Sequence, residues 1–248
     1  MEPETTQTRE TIVLGLVLTC MAGLVDAIGY LTLSRLLPAN MSGNTVEGGL
    51  GLLNGTDALP KLLAVLMFVV GAVLSSTLHV LGKRGKLRAP VALALVAEVA
   101  LLCAWVVVAH GSELGGDASS FPVPYYVALS LGALAMGMQN ASLTQVGPVH
   151  AFTTHVTGTI TKLAESTVDA LFWLRDERAR ARGRLWRRAW GQKDVKTAMI
   201  MLGLWTVFLL GAIAGGLLEM RMHVASLLLP AAVLLGLAAW SWRRPVET

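Results

Sequence analysis

From residue 11 to residue 36 the chain is apolar with one carboxylate, Asp26, and one arginine near its end. Further apolar runs follow at residues 60–81, 89–109, 124–144, 195–219 and 224–242. About 20 apolar residues in helical conformation cross a hydrocarbon core of about 30 Å, so these runs predict six transmembrane helices. A soluble domain is excluded by composition: 54% of residues are hydrophobic, only 15% are charged, and mean hydropathy is +0.61. The first ten residues carry three glutamates against one arginine. They lack the basic start of a secretory signal peptide, so the first run is expected to stay as a membrane helix.

Basic residues gather at Lys83, Arg84, Lys86 and Arg88, across residues 175–196, and at Arg243 and Arg244, whereas residues 110–122 have none. The positive-inside rule then places both termini on the cytoplasmic side, with Arg35, Lys61 and Arg221 as exceptions. The insert at 175–196 reads first as a topology anchor. Arg178, Arg182 and Arg188 with Trp186 and Trp190 also suit a surface helix on anionic lipid headgroups. It carries no recognisable nucleic-acid-binding fold, so no nucleic-acid partner is expected.

The chain resembles itself. "GLVDAIGY" from Gly23 aligns with "GMQNASLT" from Gly137, pairing Asp26 with Asn140 at an offset of 114. "MSGNT" from Met41 aligns with "VTGTI" from Val156 at 115, and "FVVGAVLSSTLHV" from Phe68 aligns with "FLLGAIAGGLLEM" from Phe208 at 140. The jump in offset falls at the basic insert. The fold expected is therefore an all-α polytopic membrane protein, one integral domain of two three-helix repeats, about residues 11–110 and 124–243. Three spans per repeat is an odd number, so the second repeat enters inverted, related to the first by a pseudo-two-fold axis in the membrane plane.

Each repeat also holds a helix-compatible fragment, at 42–53 and 157–173, too short or too polar to span. These are expected as re-entrant half-helices, the first dipping from outside and the second from inside, meeting near the midplane. Broken backbone at that depth needs local partners. Asn40, Ser42, Asn44 and Thr45 in the first copy, and Thr153, Thr154, Thr157 and Thr159 in the second, supply them. Asn44 with Glu47 fits a capping box. Gly43 and Gly158 allow close approach of a backbone or ligand, and the half-helix N-termini favour an anionic or hydrogen-bonding group.

A carboxylate within a span is costly unless it is structural or functional. Asp26 should face the bundle interior, with Gln139 and Asn140 as its expected partners; Glu98 is a second candidate proton site, and His155 can titrate near neutrality. The plainer reading makes Asp26 a hydrogen-bonded structural carboxylate and the mouth residues mere caps. Glu165 and Asp169 can pair with Lys162 or Arg175. Gly71 with Ser75, and Gly211 with Gly215, are small-residue pairs suited to helix packing. No nucleophile elbow, phosphate loop or metal-ligand cluster occurs, so no catalytic residue, cofactor or metal is expected.

The segments "GLVDAIGYLTL", "NMSGNTV", "GMQNASL" and "TTHVTGTITKLA" resemble the pattern of the YoaK family, bacterial six-helix inner-membrane proteins grouped as a domain of unknown function. The resemblance covers nearly the whole chain and implies a bacterial cytoplasmic membrane protein; the arginine-rich insert is more elaborate than that pattern leads one to expect. On the residues alone the leading function is a small secondary transporter of a small polar or anionic solute, proton-coupled through Asp26. A re-entrant-loop channel and a non-transporting scaffold or sensor are the alternatives. Six spans enclose a pathway in one chain or form half of one in a homodimer, and the sequence leaves both open.

Overall fold

The computed structural model describes residues 3–56, 58–112, 114, 121–143, 145–146, 148–150, 153–180 and 188–244. The helices are α1 (Pro3–Thr32), α2 (Met41–Asn54), α3 (Ala58–Lys83), α4 (Pro90–His110), α5 (Val123–Ser142), α6 (Val156–Arg180), α7 (Lys193–Met222) and α8 (Leu228–Arg243). Between α5 and α6 lies a short antiparallel pair, β1 (Gln145–Val146) with β2 (Val149–His150), in the register Gln145 to His150 and Val146 to Val149. Among the described residues, four helical runs are long and apolar enough to cross a membrane: Arg9–Thr32, Ala58–Lys83, Pro90–His110 and Lys193–Arg243. The last holds both α7 and α8, separated at His223, whose φ of 51° turns the chain into a single 3-10 turn, His223–Leu227.

The closest packing joins α1 to α7 and α3 to α5, and glycine makes it possible. A Cβ on Gly23 would lie 2.2 Å from the Phe208 carbonyl oxygen, and one on Gly137 would lie 2.0 Å from that of Phe68. In the other direction, Gly211 abuts the Cys20 carbonyl and Gly71 that of Leu134, each at 2.1 Å on the same construction. At these four places backbone meets backbone with no room for a side chain, the arrangement small residues permit between membrane helices. α4 fills the remaining side, packing on α5 and α8. Its fully buried Trp105 lies over Gly132 of α5, where a Cβ would come within 2.8 Å of the indole. Glu10 and Arg244 pair at 3.2 Å, so the start of the first span and the end of the last lie on one side of the bundle.

Two expectations about local structure need correction. α2 begins at Met41 with Asn40 as its N-cap, so Asn44 with Glu47 is not the capping box. Asn44 sits inside the helix, buried, donating from Nδ2 to the Leu37 carbonyl at 2.9 Å, and Glu47 pairs with Lys61 of α3 at 2.6 Å. The second fragment does not stop near residue 173: α6 is continuous to Arg180 and runs into the basic segment. Once a helix leaves the hydrocarbon it needs no apolar face to continue, so loss of hydropathy marks where lipid contact ends and not where the helix ends.

Candidate functional site

The site is built by a chain that doubles back on itself. After α1, Ser34 and Arg35 adopt positive φ (50° and 64°) and reverse the direction. Pro38 then lies against Gly29, where a Cβ would come within 2.4 Å of the proline Cδ, and the Ala39 N–H donates to Asp26 Oδ1 at 2.7 Å. Contacts with residue 29 and then with residue 26 mean that the segment descends along α1. Asn40 follows at once as the α2 cap: its Oδ1 accepts from the Gly43 N–H at 3.2 Å and from the Ser42 hydroxyl at 3.0 Å. α2 is 14 residues, about 21 Å, and returns along α3. It ends at Gly55 (φ 69°), where the chain folds so tightly that a Cβ on Gly51 would lie 2.1 Å from the Thr56 carbonyl.

The second half does the same with different residues. Asn140, at the position matching Asp26, accepts from the Thr154 hydroxyl at 2.7 Å. Thr154 matches Ala39 in the sequence alignment, so one hydrogen bond is kept with its donor moved from backbone to side chain. His155 stands where Asn40 stands, directly before α6, its ring so close over Gly158 that a Cβ there would lie 2.6 Å from Nδ1. α6 packs on α7 as α2 packs on α3.

Between these two mouths is a cavity of about 800 Å³. Its lining falls largely into pairs at the offsets of the internal similarity: Asp26 with Asn140, Ala39 with Thr154, Asn40 with His155, Met41 with Val156, Ser42 with Thr157, and Phe68 with Phe208. Tyr30, Leu31, Leu37 and Ala212 are among the rest. No lysine or arginine is among these lining residues; Asp26 is the one carboxylate, and His155 the other titratable group besides the Tyr30 phenol.

Of the sequence candidates, the cavity therefore gathers Asp26, Asn40, Ser42, Asn140, Thr154, His155 and Thr157. Gly43 and Gly158 lie one residue behind the mouths, under the Asn40 and His155 side chains. Thr45 and Thr159 turn their hydroxyls back to the Met41 and His155 carbonyls. Gln139 is fully buried away from the cavity, its Nε2 donating to the Leu18 carbonyl at 2.8 Å and to Thr153 Oγ1 at 3.4 Å. Glu98 is fully buried in α4, with neither carboxyl oxygen hydrogen-bonded among the described residues, and it does not line the cavity. Lys162 pairs with Glu165 on the exposed face of α6. In the basic insert, Arg178 and Trp190 are exposed and Arg188 pairs with Glu177, while Arg182 and Trp186 lie outside the described residues. Sequence reading passed over Phe68 and Phe208 as cavity residues, although both open the third internal match; their pairing was the available signal.

Apolar membrane-length helices packed through glycine faces around a polar-mouthed cavity define a polytopic helical membrane protein. The family model described as "Protein of unknown function (DUF1275)" matches residues 14–240, and the chain belongs to that family. It is similar to the UPF0700 transmembrane protein YoaK of Bacillus subtilis (strain 168), 28% identical over 174 residues that cover 68% of this chain and 72% of that protein. No solved structure matches.

Proposed function

We propose that the protein is a small secondary transporter in the bacterial cytoplasmic membrane, moving a small solute through the cavity between the α2 and α6 mouths. The reading rests on one observation above all: two helices, α2 and α6, each entered by a chain that doubles back, bring matching residues to one cavity. In this reading α1, α3, α4, α5, α7 and α8 are six spans and α2 and α6 are re-entrant. The two halves are inverted repeats, and both termini are cytoplasmic. Support comes from the glycine contacts, since the Gly23 and Phe208 pair maps onto Gly137 and Phe68, and Gly211 with Cys20 onto Gly71 with Leu134, at the same offsets. Inverted repeats commonly set binding sites at discontinuous helices near the midplane.

The test is thiol accessibility in sealed membranes, with single cysteines at Ser42 and Thr157 in a chain lacking Cys20 and Cys103. Membrane-impermeant reagents are expected to reach both positions, since they line one cavity, and to reach them from each face as access alternates. Modification of one position without the other, or of neither in the folded protein, would sink the proposal.

A further inference from the structure

Asp26 is only 6% exposed, and one of its oxygens, Oδ1, is taken by the Ala39 N–H. Oδ2 has no hydrogen-bond partner among the described residues, and the residue lines the cavity. A buried carboxylate with an oxygen left over takes up a proton or meets a counter-charge, and among the described residues lining the cavity there is no lysine or arginine to supply one. The matching position in the second half is an amide, Asn140, so this charge has no counterpart among the described lining residues. Two phenylalanines, Phe68 and Phe208, line the cavity from equivalent positions on α3 and α7. Aromatic faces attract cations through their quadrupole and pack against hydrocarbon.

Helix N-termini favour anions, which is the contrary expectation. Here one donor at each mouth is already used within the chain. Asn40 Oδ1 takes the Gly43 N–H of α2, and the Thr154 carbonyl takes the Val156 N–H of α6. The partial positive charge at the α2 mouth also lies beside Asp26, where it favours the ionised carboxylate that a cation would seek.

We propose that the solute is an organic ammonium ion, its charge on Asp26 Oδ2 and its carbon skeleton between Phe68 and Phe208. The proposal rests on the solute-binding reading of the cavity and narrows it to a substrate class. An inorganic cation would leave the rings and the apolar lining without a role, and about 800 Å³ accommodates a small organic molecule.

Direct binding to purified protein in lipid nanodiscs, followed by calorimetry, tests it with three probes of one shape: 2-phenylethylammonium, 2-phenylethanol and phenylacetate. The ammonium is expected to bind at least about tenfold more tightly than the alcohol, and phenylacetate weakest. Asp26→Asn keeps an oxygen for the Ala39 N–H, so the fold is retained, and it should remove the ammonium's advantage while leaving alcohol binding within about twofold. Phe208→Ala should weaken ammonium and alcohol alike. Tighter binding of phenylacetate, an ammonium preference that survives Asp26→Asn, or no binding of any probe would each overturn the ammonium assignment. These outcomes are separable from failure of the transport reading, which thiol accessibility at positions 42 and 157 decides without any ligand.

Discussion

Gly137 has a role its neighbours in sequence do not hint at. Its Cα faces the Phe68 carbonyl so closely that even a methyl group would lie 2.0 Å away, against backbone that cannot rotate aside. Gly137→Ala is therefore expected to force α3 and α5 apart at a cost of about 3 kcal/mol, the upper end of overpacking penalties. Gly216→Ala, on the same helix as Gly211 but with nothing within 4 Å of the added carbon, is expected to be neutral. Thermal unfolding of the two variants in detergent checks the contrast, and equal melting temperatures would refute it. At this scale the sequence was partly legible. The small-residue pair Gly71 and Ser75 and its counterpart Gly211 and Gly215 were readable as packing residues from their spacing. The complementary glycines, Gly23 and Gly137, were read beside Asp26 and in the alignment, but which carbonyl each faces depends on a partner more than 60 residues away.

Among the elements, α2 shows where local reading stops. Its existence and length were legible, at residues 42–53 against Met41–Asn54 in the structure. Its cap was not, because two asparagines compete for the role and the choice is made by a distant bond: Asp26 holds Ala39, which presents Asn40 to the first turn. Asn40→Ala should cost about 0.5–2 kcal/mol locally and speed amide hydrogen exchange at Gly43, with the far end of α2 near Gly55 unaffected. Unchanged exchange at Gly43 would mean that Asn40 does not cap the helix. Lys61, which departs from the orientation expected from the other basic residues, has its role at the same scale. It is buried on α3 and paired with Glu47 of α2, so its charge docks the two helices. The β1–β2 hairpin escaped sequence reading because two-residue strands carry no periodicity. Val146 identifies it only through its seat on Gly15 of α1, where a Cβ would come within 2.6 Å of the valine Cγ2.

On the scale of the whole molecule, the described surface is as informative as the core. Val46, Leu50, Leu52 and Leu53 on α2, Leu66, Val69 and Val73 on α3, and Leu202, Leu209, Leu210 and Ile213 on α7 all face outward. Such faces suit hydrocarbon and not water. Trp205 on α7 is 36% exposed whereas Trp105 is fully buried. In variants keeping one tryptophan each, brominated acyl chains should quench Trp205 fluorescence strongly and Trp105 little; equal quenching would contradict this lipid-facing assignment of α7. The glycine contacts between α1 and α7 and between α3 and α5 also bear on how the protein is made. Each joins a helix synthesised early to one synthesised late. As the ribosome delivers the chain, α3 must wait in the bilayer with its groove unfilled until α5 arrives, and α1 must wait until nearly the last helix has emerged. Insertion and final closure are thus separate events in time, and a nascent chain stalled before α7 would hold its first helix in the membrane with no partner for its tightest face.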